Sequence, residues 1–218
     1  MKTKKFAVVL AGCGVYDGAE IQESVLTMLA IHQSGNSYQC FAPDVEQYHV
    51  INHLNGNVEN ETRNVLVESA RIARGNVKPL SEFAPNNFDA LVFPGGFGVA
   101  KNLCTFAIDG PNCDVTPDAG SAITKAFEAK LPIGALCISP VLIAKVLGKA
   151  TLTIGSDKDT ASAIEILGAH HQISEGSDIV IDLENRIVTT PCYMHNTNIG
   201  VVAAGAVNVI EALISLME

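Results

Sequence analysis

Short apolar runs alternate along this chain with longer segments whose apolar residues recur at helical spacing. KKFAVVLAG is a continuous apolar run closed by glycine, which predicts a buried strand. GAEIQESVLTMLAIHQSG follows, with Ile21, Val25, Leu29 and Ala30 at near-helical spacing and Gly35 as its stop, and predicts a helix. SYQCFAP reads as a second strand stopped by Pro43, and NETRNVLVESARIARG as a helix capped by Asn60. FDALVFPGG is a strand ending in a Pro-Gly-Gly turn, and VTPDAGSAITKAFEAK is a helix with proline near its start. LPIGALC and SPVLIAKVLG repeat the pair, with Pro140 in the first helical turn. TLTIG, DTASAIEILGA, DIVIDLENRIVTTP and NIGVVAAGAVNVIEALISLM complete the series, and Glu184-Asn185 reads as the turn of a small hairpin.

Such alternation predicts an α/β fold, a mostly parallel sheet sandwiched by helices. No linker, repeat or low-complexity stretch interrupts it, so residues 1–218 read as a single domain. The basic residues before the first apolar run superficially resemble a signal peptide. That run is short and passes into glycines and Asp17, so a first strand is the better reading.

Composition narrows the function classes. Hydrophobic residues make up 48% and the formal charge is −9, from 23 acidic and 14 basic residues. No Lys/Arg cluster offsets that charge, so no nucleic-acid partner is expected. No uninterrupted apolar run reaches the length of a membrane span, so no membrane partner is expected either. The 6 cysteines are scattered without a CxxC pair, which reads as reduced thiols in a cytoplasmic protein. No metal-ligand spacing appears, so no metal is expected.

Ligands of such sheets collect at the carboxyl ends of the strands. AGCGVYDGAE, FPGGFGVAKN, ALCISP and TTPCYMHN reach that edge. Cys137 stands between a strand and a proline-started helix, where the turn resembles the nucleophile elbow of hydrolases. A helix N-terminus there favours a thiolate, so its pKa is expected to fall. The alternative is a small buried hydrophobe. Gly95 and Gly96 let backbone N–H groups approach a ligand, or simply make a tight turn. Glu20 and Glu23 suit the first turn of a helix, and one of them facing a thiolate would be pushed toward its protonated form and shuttle a proton. Gly14 belongs to GCGVYDG, whose spacing departs from a dinucleotide fingerprint by one residue. Cys13, in the same turn, reads as a small side chain. No cofactor is expected. His195 reads as a loop histidine, with a role as base the alternative. Arg63 reads equally as a substrate-orienting or a surface residue.

The segments EIQESV, FPGGFGVAKNL and GALCISP resemble the ThiJ/PfpI superfamily, itself similar to class I glutamine amidotransferase domains. LAGCGVYDGAEIQE, FAPD, VINHLNG, ETRNVLVESARIARG and TIGSDKDTA are similar to a narrower branch, the isoprenoid biosynthesis glyoxalase or enhancing lycopene biosynthesis group. The resemblance implies a flavodoxin-like fold, Cys137 as nucleophile and Glu23 as the acid against its sulfur. It places the backbone N–H groups of Gly96 and Ile138 at an oxyanion hole, with Gly14 and Gly95 in the pocket. It implies a small carbonyl substrate such as glyoxal, slow turnover without glutathione or metal, and a homodimer. The chain departs from the superfamily in TLTIGSDKD, where many members carry a histidine, and this disfavours glutamine hydrolysis. A redox-responsive protein without steady-state catalysis is the second reading.

Overall fold

The computed structural model describes residues 3–217. Its main sheet has seven strands in the order β3-β2-β1-β4-β5-β9-β8. These are β1 (Lys5–Val9), β2 (Ser37–Ala42), β3 (Val77–Pro79), β4 (Ala90–Phe93), β5 (Ile133–Leu136), β8 (Val180–Asp182) and β9 (Ile187–Thr190). All neighbours run parallel except β8 and β9, the expected hairpin. Central strands β1, β4 and β5 are continuous apolar runs because helices cover both faces.

The helices are α1 (Ile21–Gln33), α2 (Val65–Ile72), α3 (Phe106–Asp109), α4 (Pro117–Glu128), α5 (Pro140–Leu147), α6 (Lys158–Ile166) and α7 (Ile199–Leu216). The α2 helix starts later than its sequence predicts: Asn64, not Asn60, is the cap, and its side chain accepts from the Val67 N–H at 3.0 Å. TLTIG does not join the main sheet. Its β6 (Thr151–Leu152) pairs in parallel with β7 (His170–His171) as a separate two-stranded ribbon beside α6. FGVAKNL forms a single π-helical turn over Val99–Leu103.

Two helices depart from expectation in instructive ways. The α7 helix, with mean hydropathy 2.0, is long and apolar enough to cross a membrane. Asn208 and Glu211 interrupt its apolar run, which is why a count of consecutive apolar residues passes over it. Here it packs along the sheet and against α1, burying Val202, Gly205, Ala206, Val209, Ile210 and Leu213. In α1 the apolar row that signals the helix is the exposed one: Ile21, Val25 and Leu29 are 44%, 45% and 44% accessible. Its buried face is Glu23, Ser24, Thr27, Met28, Ala30 and Ile31.

Candidate active site

Cys137 follows β5 directly, in a left-handed backbone conformation, φ 60°, that non-glycine residues rarely adopt. Two bonds hold this turn. Its N–H donates to the Thr190 carbonyl at the end of β9 (2.9 Å), and the buried Ser139 hydroxyl donates to the Pro94 carbonyl beyond β4 (2.7 Å). The thiol is therefore fixed above the carboxyl edge of the sheet, just before α5.

Glu23 comes to it from the first turn of α1. Its cap is Glu20, whose carboxylate accepts from the Glu23 N–H at 2.6 Å. The Glu23 carboxyl is fully buried and accepts from two backbone donors, Gly95 N–H at 2.9 Å and Tyr193 N–H at 3.2 Å. The Cys137 sulfur lies against it across Gly95. Gly95 makes this meeting possible. A Cβ there would lie 2.4 Å from the Cys137 Cβ and 2.6 Å from Glu23 Oε2. Gly96 takes φ +104°, and a Cβ on it would strike the Glu20 backbone nitrogen at 2.3 Å. The backbone N–H groups of Gly96 and Ile138 lie near the Cys137 sulfur and favour its anion.

Electrostatics overturn one sequence expectation. Burial pushes the Cys137 thiol well above its ordinary value, and the Glu23 charge adds to this. The Gly96 and Ile138 N–H groups oppose the rise without cancelling it. Desolvation of the buried anion here outweighs what a helix terminus gives a thiolate, since Cys137 is 7% exposed. Burial likewise raises Glu23 to about 7, against the lowering effect of the Tyr193 N–H. Each anion disfavours the other, so the pair holds at least one proton near neutrality.

Cys137 opens into a cavity of about 260 Å³ with apolar walls from Val15, Phe97, Ala100, Phe106, Ile138 and Met194. Glu20, Thr160 and Tyr193 supply its polar side chains. Cys137, Glu23, Gly95, Gly96 and Ile138 thus come together. Gly14 is turned toward the His53 ring, and its successor Val15 lines the cavity instead. Arg63 lies elsewhere, paired with Glu61 at 2.9 Å and Glu68 at 3.6 Å. His195 is half-buried rather than solvated; its Nε2 lies 3.1 Å from the Ser174 carbonyl, and its ring is outside the cavity wall.

The sequence reading missed Tyr193. Its backbone holds Glu23 and its hydroxyl bonds the Gln22 side chain. The signal available was position, since TTPCYMHN ends a strand at the ligand edge. Cys13 is half-buried beside Asp17 and Glu68, with Arg71 and Arg63 nearby.

No protein-family model matches the chain. The human glutamine amidotransferase-like class 1 domain-containing protein 3, mitochondrial, is 46% identical over 203 residues, covering 88% of this chain and 76% of that protein. The rat ES1 protein homolog, mitochondrial, is 44% identical over 205 residues, covering 89% and 77%. Among solved structures, an isoprenoid biosynthesis protein with amidotransferase-like domain from Ehrlichia chaffeensis superposes with TM-score 0.92 at 38% identity, over 99% of this chain and 100% of that one. A ThiJ/PfpI domain protein from Brachyspira murdochii (TM-score 0.61, 18% identity, 99% of each chain) shares the fold. So does glyoxalase III from Candida albicans (TM-score 0.62, 17% identity, 99% of this chain and 98% of that one). The names of the curated relatives correct the cytoplasmic expectation, since both are mitochondrial proteins. Reduced thiols report a reducing compartment and carry no address within the cell.

Proposed function

The chain belongs to the glutamine amidotransferase-like class 1 domain family that includes the ES1 proteins, within the ThiJ/PfpI fold, and from that premise we propose that it is a cysteine-dependent glyoxalase-type enzyme acting without glutathione or metal. The observation that carries this reading is the meeting of the Cys137 sulfur and the fully buried Glu23 carboxyl across Gly95, where a Cβ would lie 2.9 Å from the sulfur and 2.6 Å from Glu23 Oε2. Glu23 takes the thiol proton as the sulfur adds to one aldehyde carbon of glyoxal, and the Gly96 and Ile138 N–H groups receive the developing oxyanion. Protonation of that oxygen gives a hemithioacetal. The Glu23 carboxylate then removes the C–H proton of the sulfur-bearing carbon. Return of a proton to the neighbouring carbon leaves a thioester of glycolic acid. One carbon is oxidised and the other reduced, so no external oxidant is needed. Water cleaves the thioester, releasing glycolate and restoring the thiol. With no histidine in the cavity wall among the described residues to activate that water, hydrolysis is expected to limit turnover.

The depth of the thiol weighs against the redox reading, because oxidation favours exposed, low-pKa sulfur. The experiment is glyoxal consumption and glycolate release by the wild type, Cys137→Ser and Glu23→Gln. Turnover by the wild type alone supports the reading; three equal, inert proteins would end it.

We also carry the expected homodimer as a proposal, with the outer face of α1 as its contact. Ile21, Val25 and Leu29 form an exposed apolar row, and its exposed neighbours include the uncharged Gln22 and Gln33. Two copies of a chain at −9 can meet across that face without opposing like charges. Sedimentation of the wild type beside Val25→Lys tests it.

A further inference from the structure

The cavity is large and its walls mostly apolar for a substrate as small as glyoxal. A 150 Å³ apolar cavity already accepts a benzene molecule. Here about 260 Å³ opens beside the Cys137 sulfur. Glyoxal has four non-hydrogen atoms, so on that scale it leaves room for about one further benzene-sized group. Water filling that remainder would face Val15, Phe97, Ala100 and Phe106, which offer it no side-chain hydrogen bonds, and Met194, whose thioether is a weak acceptor. The polar wall is sparse. The Tyr193 hydroxyl is engaged by Gln22, and Glu20 is the one charged side chain in the wall among the described residues. The nearby Lys101 does not balance it. Its ammonium bonds the Tyr16 carbonyl at 2.8 Å and lies over the Phe97 ring, and it does not line the cavity.

We propose that this site selects neutral aldehydes bearing an apolar group about the size of a phenyl ring and rejects aldehydes bearing a carboxylate. The chemistry at Cys137 is that of the reading above, and this inference names its substrate class. For phenylglyoxal, sulfur adds to the aldehyde and Glu23 moves the C–H proton to the ketone carbon. Hydrolysis of the thioester then yields mandelate. The ring occupies the space walled by Phe97, Phe106 and Met194, while Glu20 repels a carboxylate in the same place.

The test has two arms. In the first, kcat/KM is measured for glyoxal, methylglyoxal, phenylglyoxal and 4-carboxyphenylglyoxal. A methylene in an apolar pocket is worth about tenfold or more, so phenylglyoxal is expected to exceed glyoxal by about a hundredfold. The carboxylated analogue should fall at least about tenfold below phenylglyoxal, and Glu20→Gln should narrow that gap, since its amide oxygen can still cap α1. Ala107 lies at the exposed edge of the cavity wall, and Ala107→Trp should lower the phenylglyoxal-to-glyoxal ratio by filling the space. In the second arm, protection of Cys137 from iodoacetamide is measured with acetaldehyde, 3-phenylpropanal and 5-oxopentanoate, which need only form a hemithioacetal. Protection by 3-phenylpropanal at concentrations about tenfold lower than the other two supports the proposal even if no aldehyde is turned over; the glyoxalase reading alone would then fall. Glyoxal turnover with equal kcat/KM for all four aldehydes and equal protection by all three would overturn the proposal and leave that reading standing. Neither turnover nor ranked protection would sink both.

Discussion

Helices α1 and α7 lie side by side against the same sheet and use opposite rules. The α7 helix buries Val202, Ala206, Val209, Ile210 and Leu213, as an amphipathic core helix should. The α1 helix turns Glu23, Ser24 and Thr27 inward and leaves Ile21, Val25 and Leu29 at the surface. The contrast teaches what each helix is for. One supplies packing energy. The other, beside the packing of Met28, Ala30 and Ile31, places a carboxyl group where burial makes it a proton carrier near neutral pH, with its oxygens satisfied by Gly95 and Tyr193.

Substitutions on the two helices should separate these roles. The largest effect is expected for Glu23→Gln, which should lower glyoxal turnover by about a thousandfold while the protein stays folded, within the range of a lost acid–base group. A steady-state assay with circular dichroism checks it. Leu213→Ala on α7 should do the reverse, costing about 2–5 kcal/mol of stability in a urea titration while folded protein keeps its kcat. Next comes the pH dependence of Glu23 itself. Its pKa rises from 4.5 to about 7 on folding, so the folded state binds the proton more tightly. That contribution is fully present below pH 4.5 and is lost as pH rises through about 7. Relative to the wild type, Glu23→Gln should therefore gain about 3 kcal/mol between pH 4 and pH 8. A flat difference across that range would remove the buried-carboxyl argument. In activity the same group acts first as a base, so kcat/KM should rise with pH through about 7 and then level off. The smallest effect on fold stability belongs to the outer face of α1. Val25→Lys should change the urea midpoint by less than about 0.5 kcal/mol equivalent at low protein concentration, while shifting sedimentation from dimer to monomer.

The same contrast shows where the sequence is legible. Strand and helix order could be read because each segment carries its own period, and Cys137 could be placed because a strand, a thiol and a proline-started helix make a recognisable turn. Local period also misleads in α1. Ile21, Val25 and Leu29 are the residues an amphipathic reading would bury, yet the inward positions serve Glu23 and a tight approach to Gly95. The fate of TLTIG was hidden because a five-residue apolar pattern does not name its sheet partner. The role of Tyr193 was hidden for another reason: position places it at the ligand edge, but it holds Glu23 through its backbone N–H, which every residue but proline possesses. The direction of the Cys137 shift depends on how deeply neighbouring elements bury it, and that is a tertiary quantity.

The bonds to Glu23 have a consequence for the life of the newly made chain. They join residues separated by 72 and 170 positions, so no fragment released early in synthesis contains both. Contacts of such long sequence separation form late, after the loops between them have been closed. Until Tyr193 docks beside α1, Cys137 lacks a fully held carboxyl partner and is one thiol among six. Aldehyde reactivity at Cys137 should therefore appear in the last kinetic phase of refolding, making the thiol a chemical clock for completion of the fold.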